Sequence, residues 1–131
     1  MNILKVSPYV YAGIVTPMVG RKVTNDKEVF EVIYKVLEMD TSITKKEIQG
    51  KSRSKRIREA RQLFQYLCKH FTDCTLQQIG DETNKNHATA LHSINLIKDI
   101  MSYNKKLIVK VVGLKAEINR IIQISQEQTI K

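Results

Sequence analysis

A chain of 131 residues, 42% hydrophobic, can bury one ordinary core but not two, so a single domain with appended ends is expected. Its 22 Lys and Arg against 13 Asp and Glu leave a net charge of +9, which favours a polyanionic partner: nucleic acid, an anionic membrane surface or an acidic protein. The two cysteines, Cys68 and Cys74, do not make a disulfide framework, no secretory pattern opens the chain, and no apolar run approaches the roughly 18 residues that span a bilayer; a cytoplasmic protein is expected.

Residues 2–19 (NILKVSPYVYAGIVTPMV) mix β-branched and aromatic residues with both prolines of the chain, which suits one or two short strands or an extended arm. From Asp26 onward there is no proline, so the remainder can be almost wholly helical. The boundary falls near residues 20–26, dividing an arm (1–25) from a helical domain (26–128). A first helix is predicted from an Asp26 N-cap to about Glu38, burying Val29, Val32, Ile33, Val36 and Leu37. Thr44 with Glu47 forms a capping box leading to Gly50. A second helix, Lys55 to Phe71, carries Ile57, Ala60, Phe64, Leu67 and Phe71 on one face, with Arg58 and Arg61 on the other.

Thr75 with Gln78 is a second capping box, opening two helical turns that end around Gly80 to Thr83. After a turn, a fourth helix from about Asn86 to Ser102 has an apolar stripe of Leu91, Ile94, Ile97 and Met101. Two helices joined by a tight turn give the helix-turn-helix outline. The last helix, about Lys105 to Gln126, repeats Leu107, Val111, Leu114, Ile118 and Ile121 in a heptad-like seam. About two heptads with Gly113 inside favour packing within the chain, and a homodimer through this helix is the other use of such a seam.

Between Lys51 and Arg61 the chain reads KSRSKRIREAR, in which Lys51, Arg53, Lys55, Arg56, Arg58 and Arg61 meet a single acid, Glu59. Such density suits phosphate, and arginines in a short arm can enter a narrow minor groove. Asn84, Lys85, Asn86, His87 and Thr89 cluster at the start of the fourth helix, where free backbone N–H groups and the positive dipole end attract phosphate and side chains can reach base edges.

The run from Arg53 to Lys98 resembles the duplex-reading C-terminal domain, domain IV, of the DnaA replication-initiator family. It has that family's basic loop ending in an Arg-Gln pair, its Ser/Thr-Leu-x-x-Ile-Gly segment and, as Asn84-Lys85-Asn86-His87-Ala88-Thr89-Ala90-Leu91-His92, its signature Gly-Arg-Asp-His-Thr-Thr-Val-Leu-His. With the flanking helices the resemblance covers roughly residues 27–122. It implies an all-α helical bundle with a helix-turn-helix, of the Trp repressor-like kind, behind the extended or β N-terminal arm. It also implies double-stranded DNA as partner: Arg53 in the minor groove, Arg61 and Gln62 at the backbone and groove edge, and Lys85, Asn86, His87, Ala88 and Thr89 at the major groove. Asn86 stands where the family has Asp, Ala88 where it has Thr, and Gln77 where it has a base-touching Pro. Duplex binding should therefore survive while the family's nine-base-pair site changes, each altered contact weighing about 1–3 kcal/mol.

None of the five glycines, Gly13, Gly20, Gly50, Gly80 and Gly113, begins a GxxxxGK[ST] loop, so no ATP hydrolysis is expected; a thiol paired with a histidine has no supporting third group, and no cofactor and no enzymatic activity is expected. A stand-alone reader of this kind, as in a phage or mobile-element protein, could regulate transcription, mark a replication site or compete with a host initiator. Cys68, His70, Cys74, His87 and His92 match no common zinc spacing, and no metal is expected. Cys68 reads as half-buried and His92 as a core or interface histidine. The competing function is a structural or interaction protein that keeps the fold and binds protein partners through the arm around Tyr9 to Tyr11 and the last helix. Structured-RNA binding ranks lower, because no aromatics interleave the arginines.

Overall fold

Five of the helix starts are written in side chains whose own oxygen accepts a free N–H of the first turn. The computed structural model describes residues 25–130, with side chains through residue 124. Helix α1 (Asp26–Thr41) is capped by Asn25, whose Oδ1 accepts the Glu28 N–H at 2.9 Å while Glu28 reaches back to the Asn25 N–H. The cap is therefore Asn25 and not Asp26, one residue before the expected place. The helix also runs past Glu38, ending where Ser42 turns left-handed at φ 66° and returns its N–H to the Glu38 carbonyl.

The two predicted capping boxes are present: Thr44 with Glu47 opens α2 (Lys45–Gln49), and Thr75 with Gln78 opens α4 (Leu76–Glu82). Between them lies α3 (Lys55–Phe71), whose Ser54 gives no side-chain cap. Asn86 caps α5 (His87–Met101) by accepting the Thr89 N–H at 2.8 Å. Asn104 accepts the Leu107 N–H at the start of α6 (Lys105–Ile130). Every regular element among the described residues is a helix. The arm expected over residues 2–19 lies outside them.

Helix α3 is the axis of the packing, touching α1, α2, α4 and α5, while α6 crosses α1 and α5. Phe64, with no exposed surface, sits at its middle; Tyr34 stacks on it at 4.1 Å between ring centroids, and Phe30 leans against it at 6.1 Å. Removing a ring so placed costs about 3–5 kcal/mol. Along α6, Val111, Leu114 and Ile118 are buried, so the heptad-like seam is filled within the chain. Its outer side leaves Val109 71% and Val112 58% exposed.

Three expectations about facing are corrected. On α5 the buried residues are Ala90, Ser93, Ile94 and Ile97, so the stripe passes through Ala90 and leaves Leu91 exposed. His92 stands two residues from Ala90 and one from Ser93, on the solvent side, and is not a core histidine. Cys68 is fully buried, and burial pushes its thiol pKa well up. No helix among the described residues is long and apolar enough to cross a membrane.

Candidate nucleic-acid interface

The helix-turn-helix is formed by α4, a short turn and α5, and Gly80 makes its closeness possible. The Gly80 carbonyl takes the Thr83 and Lys85 N–H groups at 3.0 and 2.8 Å, folding the chain back over the end of α4. A Cβ on Gly80 would stand 2.7 Å from the Lys85 carbonyl and 2.9 Å from that of Asn86, both backbone atoms. Asn84 completes the reversal at φ 59°, a conformation that asparagine tolerates better than most residues. Below the turn, the buried Gln65 amide of α3 donates to the Thr83 hydroxyl at 2.8 Å and holds it against the core.

The turn thus delivers Asn86, His87, Ala88 and Thr89 to the surface, all four exposed at the first turn of α5. Asn86 is both cap and surface group. The first N–H groups of a fifteen-residue helix point the same way, carrying the positive end of its dipole.

The basic segment comes to this same edge. Residues 51–54 form an exposed stretch between α2 and α3, carrying Lys51 and Arg53, and Lys55 and Arg58 continue it onto the exposed side of α3. The Arg58 guanidinium donates to the Arg53 carbonyl at 3.4 Å. What joins this segment to the turn is the C-terminal end of α2. The Gly50 carbonyl accepts from Lys85 Nζ at 3.1 Å and from Arg61 Nη2 at 3.1 Å, and the adjacent Gln49 carbonyl accepts from Asn84 Nδ2 at 3.0 Å. Gln49 in turn donates its amide to the Glu82 backbone carbonyl at 2.9 Å and to the Tyr34 hydroxyl at 3.1 Å. Basic loop and reading turn are parts of one hydrogen-bonded edge.

Arg61 differs from its sequence-based placement. It is 7% exposed, with Nε donating to the Ile48 carbonyl at 2.7 Å and Nη2 to Glu47 and Gly50. The reason is register: Arg61 lies four residues after Ile57 and three before Phe64, on the inward stripe. Its long stem crosses apolar surface while the guanidinium closes the open carbonyls of α2. Burial lowers its pKa. That of Lys85 is also lowered, first by burial and then by the positive charges of Arg61 and Lys51.

The remaining predicted residues are spread more widely. Gln62, next to Arg61, is half-buried. Arg56 turns toward α1 and donates to its last carbonyl, that of Thr41, at 3.1 Å. Gln77, exposed on α4, donates to Asp81 one turn on at 2.8 Å. Sequence reasoning missed Gln49 and named Asn84 without its role, although Asn before a helix start is a usual sign of a left-handed turn residue. Among the described residues, no three His, Cys, Asp or Glu side chains gather as a metal site.

Residues 30–97, which span α1 to most of α5, match the family described as the bacterial DnaA protein helix-turn-helix. The chain belongs to that family. Among its relatives, the chromosomal replication initiator protein DnaA of Borrelia duttonii is 33% identical over 98 residues, covering 74% of this chain and 20% of that protein. DnaA of Borreliella burgdorferi is 36% identical over 84 residues (63% and 17%), and DnaA of Desulfatibacillum aliphaticivorans 35% over 82 residues (62% and 18%). The chain therefore spans about a fifth of the length of these DnaA relatives. Membership in the DnaA helix-turn-helix family supports DNA binding, and the all-helical fold agrees with it.

Proposed function

We propose that this chain binds double-stranded DNA, with the first turn of α5 in the major groove and Arg53 in the adjacent minor groove, and acts in the control of replication or transcription without hydrolysing ATP. The observation that carries this reading is the shared Gly50 carbonyl, which fixes the basic loop and the reading turn as one edge. A duplex seated on that edge meets Lys51, Arg53, Lys55 and Arg58 along its phosphates and Lys85 to Thr89 in the groove. The phosphate contacts supply sequence-independent affinity, and the α5 contacts supply selection. In the DnaA relatives this position of the chain is part of a replication initiator, which motivates the replication role.

The test is a fluorescence-anisotropy titration with a DnaA-box duplex, a scrambled duplex and a hairpin RNA, at about 50 and 200 mM salt. Binding to duplex that weakens steeply with salt, and that Arg53→Ala with Lys85→Ala reduces, supports the reading. Preference for the box means the initiator's site is retained; equal binding to both duplexes means redirected recognition. No duplex binding at low salt overturns it. That result would favour a second reading, a protein-binding role, for which the exposed Val109 and Val112 on the outer side of α6 speak. Such a role would be indifferent to Arg53 and Lys85 and sensitive to deletion of residues 1–20.

A further inference from the structure

A second gathering of positive charge lies away from the α5 reading edge. Tyr66, Lys69 and His70 near the end of α3, with Ile94 and Lys98 of α5, line a pocket of about 180 Å³. Lys115 of α6 joins it, its Nζ donating to the Tyr66 hydroxyl at 3.1 Å and lying 5.0 Å from the ring centroid. Three helices thus bring three lysines and a histidine to one concavity. Lys69 and His70 stand 14 and 15 residues beyond Lys55, about 21–22 Å along the axis of α3, and Lys98 stands 11 residues beyond His87, about 16 Å along α5.

Among the described residues, no carboxylate pairs with this cluster. Asp73 and Asp99, the acids nearest Lys69, His70 and Lys98 along the chain, are exposed and unpaired with them, and Glu117, two residues from Lys115, pairs with Arg120. Residues 1–24 contain no Asp or Glu. Glu127 lies twelve residues past Lys115, about 18 Å further along α6. The His70 pKa is lowered, first by burial and then by the Lys115 charge, as expected where the surroundings are already positive. An uncompensated group of ammonium ions around a small concavity fits phosphate oxygens, which lysines meet as point charges. Apart from Ile94 and the Tyr66 ring the lining is polar, so the pocket offers little to the apolar anchor side chains by which a peptide partner would bind.

We propose that Lys69, Lys98 and Lys115, with His70, form a second phosphate-binding site that takes the backbone of a second duplex segment, so that one molecule holds two stretches of DNA. This goes beyond the proposed reading, which uses only the α5 edge.

The chain has three histidines, which makes the test separable: His87 reports the α5 edge, His70 the pocket, and His92 the exposed side of α5. Imidazole NMR signals are followed while a short duplex is added to the full chain at low salt. The expected result is that His87 responds up to one equivalent and His70 between one and two. In Lys69→Glu/Lys98→Glu, whose substituted side chains are exposed, the second affinity should fall about tenfold or more while the His87 response persists. The proposal is overturned if His70 does not respond, responds together with His87 at the first equivalent, or responds unchanged in the variant. It is also overturned if polyglutamate at equal charge moves His70 more than duplex does. A response at His70 with none at His87 would support the pocket and overturn the proposed reading edge instead.

Discussion

Arg61 of α3 and Lys85 of the reading turn donate to one acceptor, the Gly50 carbonyl oxygen, each at 3.1 Å. Two cations on one oxygen repel each other and are tolerated because the Gly50 carbonyl, just past the end of α2, has no helical partner of its own. The two residues nevertheless do different work: Arg61 is inside, satisfying three carbonyls, and Lys85 is half-exposed, with one.

Arg61→Gln should therefore lower stability by about 2 kcal/mol or more in urea denaturation, because buried carbonyls lose a charged donor. Lys85→Ala should stay within about 1 kcal/mol of the parent while weakening duplex binding. If Arg61→Gln unfolded at the parent's urea midpoint, the guanidinium would not be what closes α2.

Gly80→Ala is expected to destabilise by the upper part of about 1–3 kcal/mol, since the added methyl meets two backbone carbonyls that cannot swing aside. The thermal midpoint reads the loss. Amide exchange at Lys85, whose N–H is bonded to the Gly80 carbonyl, should quicken more than exchange in α1.

Gly113→Ala should do the opposite. The residue sits inside α6 with open space where a Cβ would go, so alanine removes unfolded-chain freedom at no steric expense and should raise stability by about 0.4–1 kcal/mol. A fall in the thermal midpoint would mean that α6 needs to bend there.

The Tyr34 hydroxyl donates to Glu82 Oε2 at 2.8 Å, and burial, reinforced by that carboxylate, drives its pKa far above the ordinary phenol range. The folded protein keeps this proton where the unfolded chain releases it near pH 10. The sign follows: the contribution is complete below about pH 10 and declines as pH rises beyond it. Tyr34→Phe should cost about 1–2 kcal/mol at neutral pH, and its deficit relative to the parent should shrink between pH 9 and 11 in parallel thermal melts. A constant deficit would exclude the phenol as the source of the alkaline slope.

Local rules carried the helix starts a long way. Thr44 with Glu47 and Thr75 with Gln78 mark their helices because the reciprocal hydrogen bonds need only residues three apart, and Asn86 is legible for the same reason. Asn25 was overlooked beside the equally plausible Asp26. Facing was harder wherever polarity and position disagree. The spacing Ile57, Arg61, Phe64, Cys68 already describes an inward stripe, but counting charges put Arg61 outside. Leu91 shows the converse, an apolar residue left exposed because Ala90 takes the inward place on α5. The Gly50 junction depends on a contact between residues 35 apart, for which no local pattern exists.

The cap of α5 also sets the sense of recognition at that position. Asn86 Oδ1 accepts the Thr89 N–H at 2.8 Å, which turns that oxygen toward the helix and leaves the Nδ2 hydrogens as the side chain's free donors. A carboxylate in the same place has two oxygens, one for the helix and one to take a base's amino proton; the carboxamide has one oxygen, engaged by the helix, and an NH2 donor in place of the other. In the proposed reading Asn86 thus becomes chiefly a giver of hydrogen bonds, suited to guanine O6 or N7, adenine N7 and thymine O4 and unsuited to the amino group of cytosine. Selection from a random duplex pool should accordingly return few cytosines at the base that Asn86 faces.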